Sequence, residues 1–82
     1  MQKLLSKVNS NMVYTVKESY NLSNLKLGKL IGVSQSLINI WLNSCGEVRT
    51  SIFFWSKIKL LYKYQESSDF VKKLVKFLVR FY

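Results

Sequence analysis

The 82-residue chain has no proline, no histidine, one cysteine and three glycines. Each shortage excludes something. Without histidine, and with Cys45 as the lone thiol, the common zinc sites and the most frequent general base are missing, so neither a metal nor a cofactor is expected. One cysteine cannot close an internal disulfide, which suits a reducing compartment; it is either an inert thiol or a link between two chains. Acids are scarce as well. Glu18, Glu47, Glu66 and Asp69 are scattered, with no carboxylate pair placed for acid–base work. An enzyme is therefore not expected, and neither is a small-molecule ligand. The longest strictly apolar run, Ile52-Phe53-Phe54-Trp55, is far short of the roughly 20 residues of a membrane span. No apolar leader with a cleavage site follows Met1, so a cytoplasmic location is expected.

What the chain does contain is cationic and apolar. Thirteen Lys and Arg stand against four acids, a formal charge of +9. Such a small basic protein is drawn to nucleic acid or to an anionic membrane, and charge alone does not choose between them. Apolar residues make up 49%, with two Trp, five Tyr and five Phe, which excludes a disordered chain. The length suits one domain, which at this size buries about 60–65% of its unfolded surface. A separate sensing or self-cleaving module is not expected within it.

With no proline, helix breaks must come from caps and polar clusters. Residues 1–8 alternate weakly and read as a frayed helix or an arm. Residues 11–20 place Met12, Val13, Val16 and Tyr20 on one helical face. Ser23 is the candidate cap of a short helix over 24–31, with Leu27, Leu30 and Ile31 inward and Lys26 and Lys29 outward. Gly32 can close it in the left-handed conformation, Val33 plugs the turn, and Ser34 caps a third helix over 35–43. Ile38, Trp41 and Leu42 anchor that helix. Residues 44–50 read as a loop. A fourth helix starts at Thr50 or Ser51 and runs to about Tyr64, and a fifth follows a cap at Ser67 or Ser68. No repeat or low-complexity tract interrupts the chain.

The stretch LGKLIGVSQSLINIWLN, residues 27–43, carries the specific signal. Two helices that cross steeply through a short turn need a small residue at their contact, a glycine to leave the first helix, a hydrophobe in the turn and apolar anchors on the second. Gly28, Gly32, Val33, Ile38 and Trp41 supply these in order. This segment resembles the helix-turn-helix of the phage repressor and Cro superfamily, and the likeness extends from about Met12 through Leu61, roughly 50 of the 82 residues. The chain as a whole reads as an all-α, five-helix domain that the resemblance makes lambda-repressor-like, with the DNA-binding part over 1–65, its motif at 24–43, and a C-terminal helix over 66–82. The resemblance implies that helix 35–43 enters the major groove of double-stranded DNA. By position Gln35, Ser36 and Asn39 match base-reading sites. Asn24 matches a site that supports such contacts and touches phosphate, and Asn43 one that meets the backbone.

The chemistry of these residues agrees with that expectation. Gln and Asn amides can pair with adenine N6 and N7, a serine hydroxyl serves several bases, and the helix holds no Arg to read guanine. A preference for A·T-containing sites follows. Phosphate attraction must then come from outside this helix, and the candidates are Lys26, Lys29, Arg49 and Lys57. The segment also departs from the family. Gly28 stands where alanine is usual, Thr50 where a proline often precedes the fourth helix, and Leu37 and Ile40 where exposed polar residues are common. Leu37 can pack on a thymine methyl, or the face binds protein instead.

Residues 66–82 lie outside the resemblance. Here Phe70, Leu74, Phe77, Leu78 and Phe81 form a stripe, with Lys72, Lys73, Lys76 and Arg80 off it. Together with the valines and Tyr82 the apolar arc is too wide to pack on one small domain. The helix completes the core with some exposure left over, forms a homodimer interface, or lies on a membrane surface. The dimer is favoured because large exposed apolar patches mark interaction surfaces, and it also suits a reader of two half-sites one DNA turn apart. The expectation is thus a dimeric, repressor-like transcriptional regulator, of phage, plasmid or defence type. The rival is a protein-interaction module of the same fold, anti-repressor or antitoxin-like, that does not read DNA.

Overall fold

The computed structural model describes residues 5–44 and 48–81; Cys45, Gly46, Glu47 and Tyr82 lie outside them. The described chain forms five helices, α1 (Ser10–Ser19), α2 (Asn24–Ile31), α3 (Gln35–Leu42), α4 (Ile52–Lys63) and α5 (Asp69–Phe81). It also forms two short strands, β1 (Leu5–Lys7) and β2 (Arg49–Ser51). The strands pair antiparallel, Leu5 opposite Ser51, Ser6 opposite Thr50 and Lys7 opposite Arg49. The fold is therefore mostly helical, as a small helical domain should be, with a small sheet in addition; Leu5–Lys7 form one of its strands rather than part of a frayed helix or free arm, and residues 1–4 lie outside the described residues. The sheet has a definite job. It ties the segment before α4 to the N-terminal segment, extended by a bond from the Val8 N–H to the Val48 carbonyl at 2.9 Å, and it buries Val8 and Thr50.

Each helix starts at a capping side chain, as helices with orphan N–H groups require. Asn9, Ser23, Ser34 and Ser51 accept from the N–H groups of Met12, Lys26, Leu37 and Phe53, and Ser68 from that of Val71. The ends of α1 and α2 are equally specific. Asn21 takes φ 56°, and the Asn21 and Leu22 N–H groups return to the carbonyls of Glu18 and Lys17. Asparagine tolerates this left-handed conformation better than most residues, so α1 stops there. Gly32 adopts φ 90° after α2, and its N–H and that of Val33 both reach the Gly28 carbonyl. Ser34 caps α3 directly afterwards.

The core gathers Val13, Val16 and Tyr20 of α1, Leu27, Leu30 and Ile31 of α2, and Ile38 and Trp41 of α3. Trp55, Ile58 and Leu61 of α4 complete it from the other side. Trp41 and Trp55 meet edge to face, with ring centroids 6.3 Å apart and planes at 85°, which fixes α3 on α4. Tyr20 crosses the core and donates its hydroxyl to the Leu61 carbonyl at 2.6 Å, tying α1 to α4.

Helix α5 packs on α2 and α4 through Val75 and Val79, both buried, with Val71 half-buried beside them. Helix α5 thus shares one core with the described residues before it. The inward edge of α5 is the small, β-branched one. Phe70, Leu74, Phe77, Leu78 and Phe81 all face outward, between 50% and 71% exposed.

Candidate nucleic-acid interface

The turn between α2 and α3 is tight enough to specify one residue. A Cβ placed on Gly28 would lie 2.6 Å from the Val33 carbonyl oxygen and 3.4 Å from the carbonyl of Ser34. Even alanine would push the start of α3 away from α2. That close approach explains glycine at a position where the resembled family has alanine.

Around α3, the residues divide cleanly by face. Ile38 and Trp41 are buried, and Leu37 and Leu42 are half-buried against the core. Gln35, Ser36, Asn39 and Asn43 are exposed and form one contiguous polar arc, with exposed Ile40 at its rim. At 100° per residue these four span about a quarter of the helix circumference. None carries a charge. Gln35 and Ser36 make no side-chain hydrogen bond to another described residue, so their donors and acceptors face solvent.

Asn39 is held from the neighbouring helix. The Asn24 Nδ2 donates to Asn39 Oδ1, joining the first residue of α2 to the middle of α3. This leaves the Asn39 amide nitrogen outward, with a second lone pair on its oxygen still able to accept. Asn43 ends α3, and its Nδ2 donates to the Asn39 backbone carbonyl at 2.9 Å. Its amide is thus engaged in closing the helix.

The cationic candidates separate in space. Lys26 and Lys29 are exposed on α2, on the side facing α5. Arg49 is exposed on β2, directly opposite Lys7, so two cations sit side by side on the sheet. Lys57 differs from its expected exposure: the residue is only 8% exposed, and its ammonium lies 4.6 Å from the centre of the Phe53 ring. Lys57 lies at the edge of the buried face of α4, and its long stem lies along the helix so that the ammonium reaches the ring of Phe53 one turn earlier. It contributes little surface charge.

Residues that sequence reasoning did not place at a site also converge here. Between α2 and α5 runs an open groove of about 630 Å³, walled by Lys26 and Lys29 on one side and Lys73, Lys76 and Arg80 on the other. Tyr20, Leu22, Leu30 and Phe77 line its apolar parts. The spacing of 73, 76 and 80 signals a shared helical face; nothing in the sequence places that face beside α2. Among the described residues there is no cluster of metal-ligating side chains, and no helix is long and apolar enough to cross a membrane. No family model, curated protein or solved structure matches this chain.

Proposed function

We propose that this chain is a helix-turn-helix DNA-binding regulator that inserts α3 into the major groove and reads bases with Gln35, Ser36 and Asn39. The observation that carries the reading is the exposed, uncharged amide and hydroxyl arc of α3, with Asn39 braced by Asn24, on a chain that also exposes Lys26 and Lys29 on the neighbouring α2. Discrimination by amides and attraction by lysines is the division of labour that groove readers use. The half-burial of Leu37 supports this, since one of the two apolar departures on α3 belongs to the core. The chain acts as a dimer in this reading, joined through the outward stripe of α5, and regulates by occupying an operator so as to exclude or recruit polymerase.

A second reading, a protein-docking module on the same framework, rests on Ile40, which is 51% exposed at the rim of the polar arc. Gel-shift titration of genomic fragments across a salt series separates the two. The DNA-reading account expects sequence-selective, salt-sensitive retention of some fragments. Equal, weak retention of every fragment contradicts it.

A further inference from the structure

Among the described residues, a concentration of like charge lies in the α2–α5 groove. Five cations, Lys26, Lys29, Lys73, Lys76 and Arg80, wall it, and no carboxylate lines it. Asp69 lies in an adjoining concavity with Lys72, Lys73 and Lys76. Among the described residues the one ion pair is Lys17 with Glu18, so the groove cations are not neutralised from within. Like charges held together repel, and a polyanion laid along the groove relieves that repulsion.

We propose that this groove is a second DNA contact, a cradle for the sugar–phosphate strand flanking the segment read by α3; the proposal rests on the DNA-reading account above and adds α5 to it. Helix α2 packs on both α3 and α5, with Asn24 and Gly28 against α3 and Lys26 and Lys29 toward the groove, so one helix separates the polar arc from the cations. From Lys73 to Arg80, α5 rises about 10 Å at 1.5 Å per residue. That length matches the axial rise of about three phosphates on one strand. Leu22 and Phe77 offer apolar surface to the deoxyribose faces between the phosphates. A bilayer, being flat, cannot enter a groove between two helices. Phe77 borders both the groove and the outward stripe, whereas Phe70, Leu74, Leu78 and Phe81 line no part of the groove and remain free for a second copy of the chain.

The test uses the full chain and fluorescence anisotropy on two duplexes, one preferred and one of scrambled sequence, across a salt series. The Lys73→Gln/Arg80→Gln variant is compared with Lys59→Gln/Lys63→Gln, which removes the same charge from exposed positions on α4. The groove variant is expected to bind both duplexes about tenfold or more weakly near 100 mM salt, with a salt slope reduced by about 2. The α4 variant is expected to change neither by more than about twofold. Gln35→Ala/Asn39→Ala is expected to erase the difference between the duplexes while keeping the slope. If wild-type protein shows no sequence preference but the groove variant still loses slope, the α3 reading fails and the cradle stands. An unchanged slope in the groove variant, an equal loss in the α4 variant, or no DNA binding by the wild type overturns the cradle. So does loss of binding only to poly-glutamate or to phosphatidylserine vesicles, with duplex affinity intact.

Discussion

Asn24, the first residue of α2, donates its side-chain amide to Asn39 in the middle of α3. The bond crosses the Gly32-Val33 turn and fixes the rotamer of an exposed amide. A side chain held in this way loses less freedom on meeting a base edge. Asn24→Ala is expected to leave stability nearly unchanged, since alanine is the better helix former. On the DNA-reading account it reduces preference for the best duplex over a scrambled one by about five- to tenfold, a fraction of the 1–3 kcal/mol that a good amide–base pair supplies. Competition titration with the two duplexes measures this; an unchanged preference assigns the bond to packing alone.

Gly28 and Val33 make the second linkage across the same turn. Because a Cβ at Gly28 would stand 2.6 Å from the Val33 carbonyl oxygen, Gly28→Ala must displace the start of α3. The strain of about 1–3 kcal/mol typical of overpacking outweighs the helix-propensity gain of about 1 kcal/mol from Gly to Ala. The expected result is a net loss of up to about 2 kcal/mol in urea unfolding and, on the DNA-reading account, weaker DNA binding than stability alone accounts for. A stabilised variant would show that the turn yields without resistance.

These two residues also show what was legible in the sequence and what was not. The α2–turn–α3 unit could be read to within a residue because Ser23, Gly32 and Ser34 each carry a local instruction, two caps and a positive φ, that needs no tertiary context. The sheet could not. A strand of three residues shows only one alternation of burial, and Leu5-Ser6-Lys7 pairs with a segment 44 positions away along the chain. In α5 the over-wide apolar arc was visible, but which edge turns inward depends on the space between α2 and α4. That space takes Val75 and Val79, whereas bulk alone favours the Phe and Leu stripe. Lys57 is hidden for a related reason: its exposure depends on how many neighbours α4 has.

Tyr20 gives a pH-dependent check on the core. Its hydroxyl donates to the buried Leu61 carbonyl, and burial raises its pKa above the ordinary 10.0. A phenol whose folded pKa is raised holds its proton more tightly when folded. Its contribution to stability is complete below the unfolded pKa and is lost as pH rises through the folded one. Tyr20→Phe is expected to cost about 1 kcal/mol at neutral pH from the missing hydrogen bond. Above pH 10.0 the wild type then loses stability faster than the variant, so the gap between them narrows. Urea unfolding of both proteins at neutral and alkaline pH measures it, with lysine titration common to the two. A gap independent of pH contradicts the assignment.

The outward stripe of α5 can be tested without disturbing the fold. Removing the whole helix would strip Val75 and Val79 from the core, whereas Phe77 and Leu78 are 62% and 57% exposed. Phe77→Glu/Leu78→Lys preserves net charge and places polar groups on that face. If the stripe joins two copies, light scattering shows a dimer for the wild type and a monomer for the variant, with thermal stability at low concentration nearly equal. A monomeric wild type removes the dimer from the account.

The central claim, that α3 reads DNA through uncharged side chains, is tested most directly by selecting bound sequences from a random pool of duplexes with the full chain. The expected outcome is an enriched site containing A·T pairs, whose enrichment disappears in Gln35→Ala/Asn39→Ala while general affinity for duplex DNA persists. An unenriched pool, or a G/C-rich consensus indifferent to those two substitutions, contradicts it.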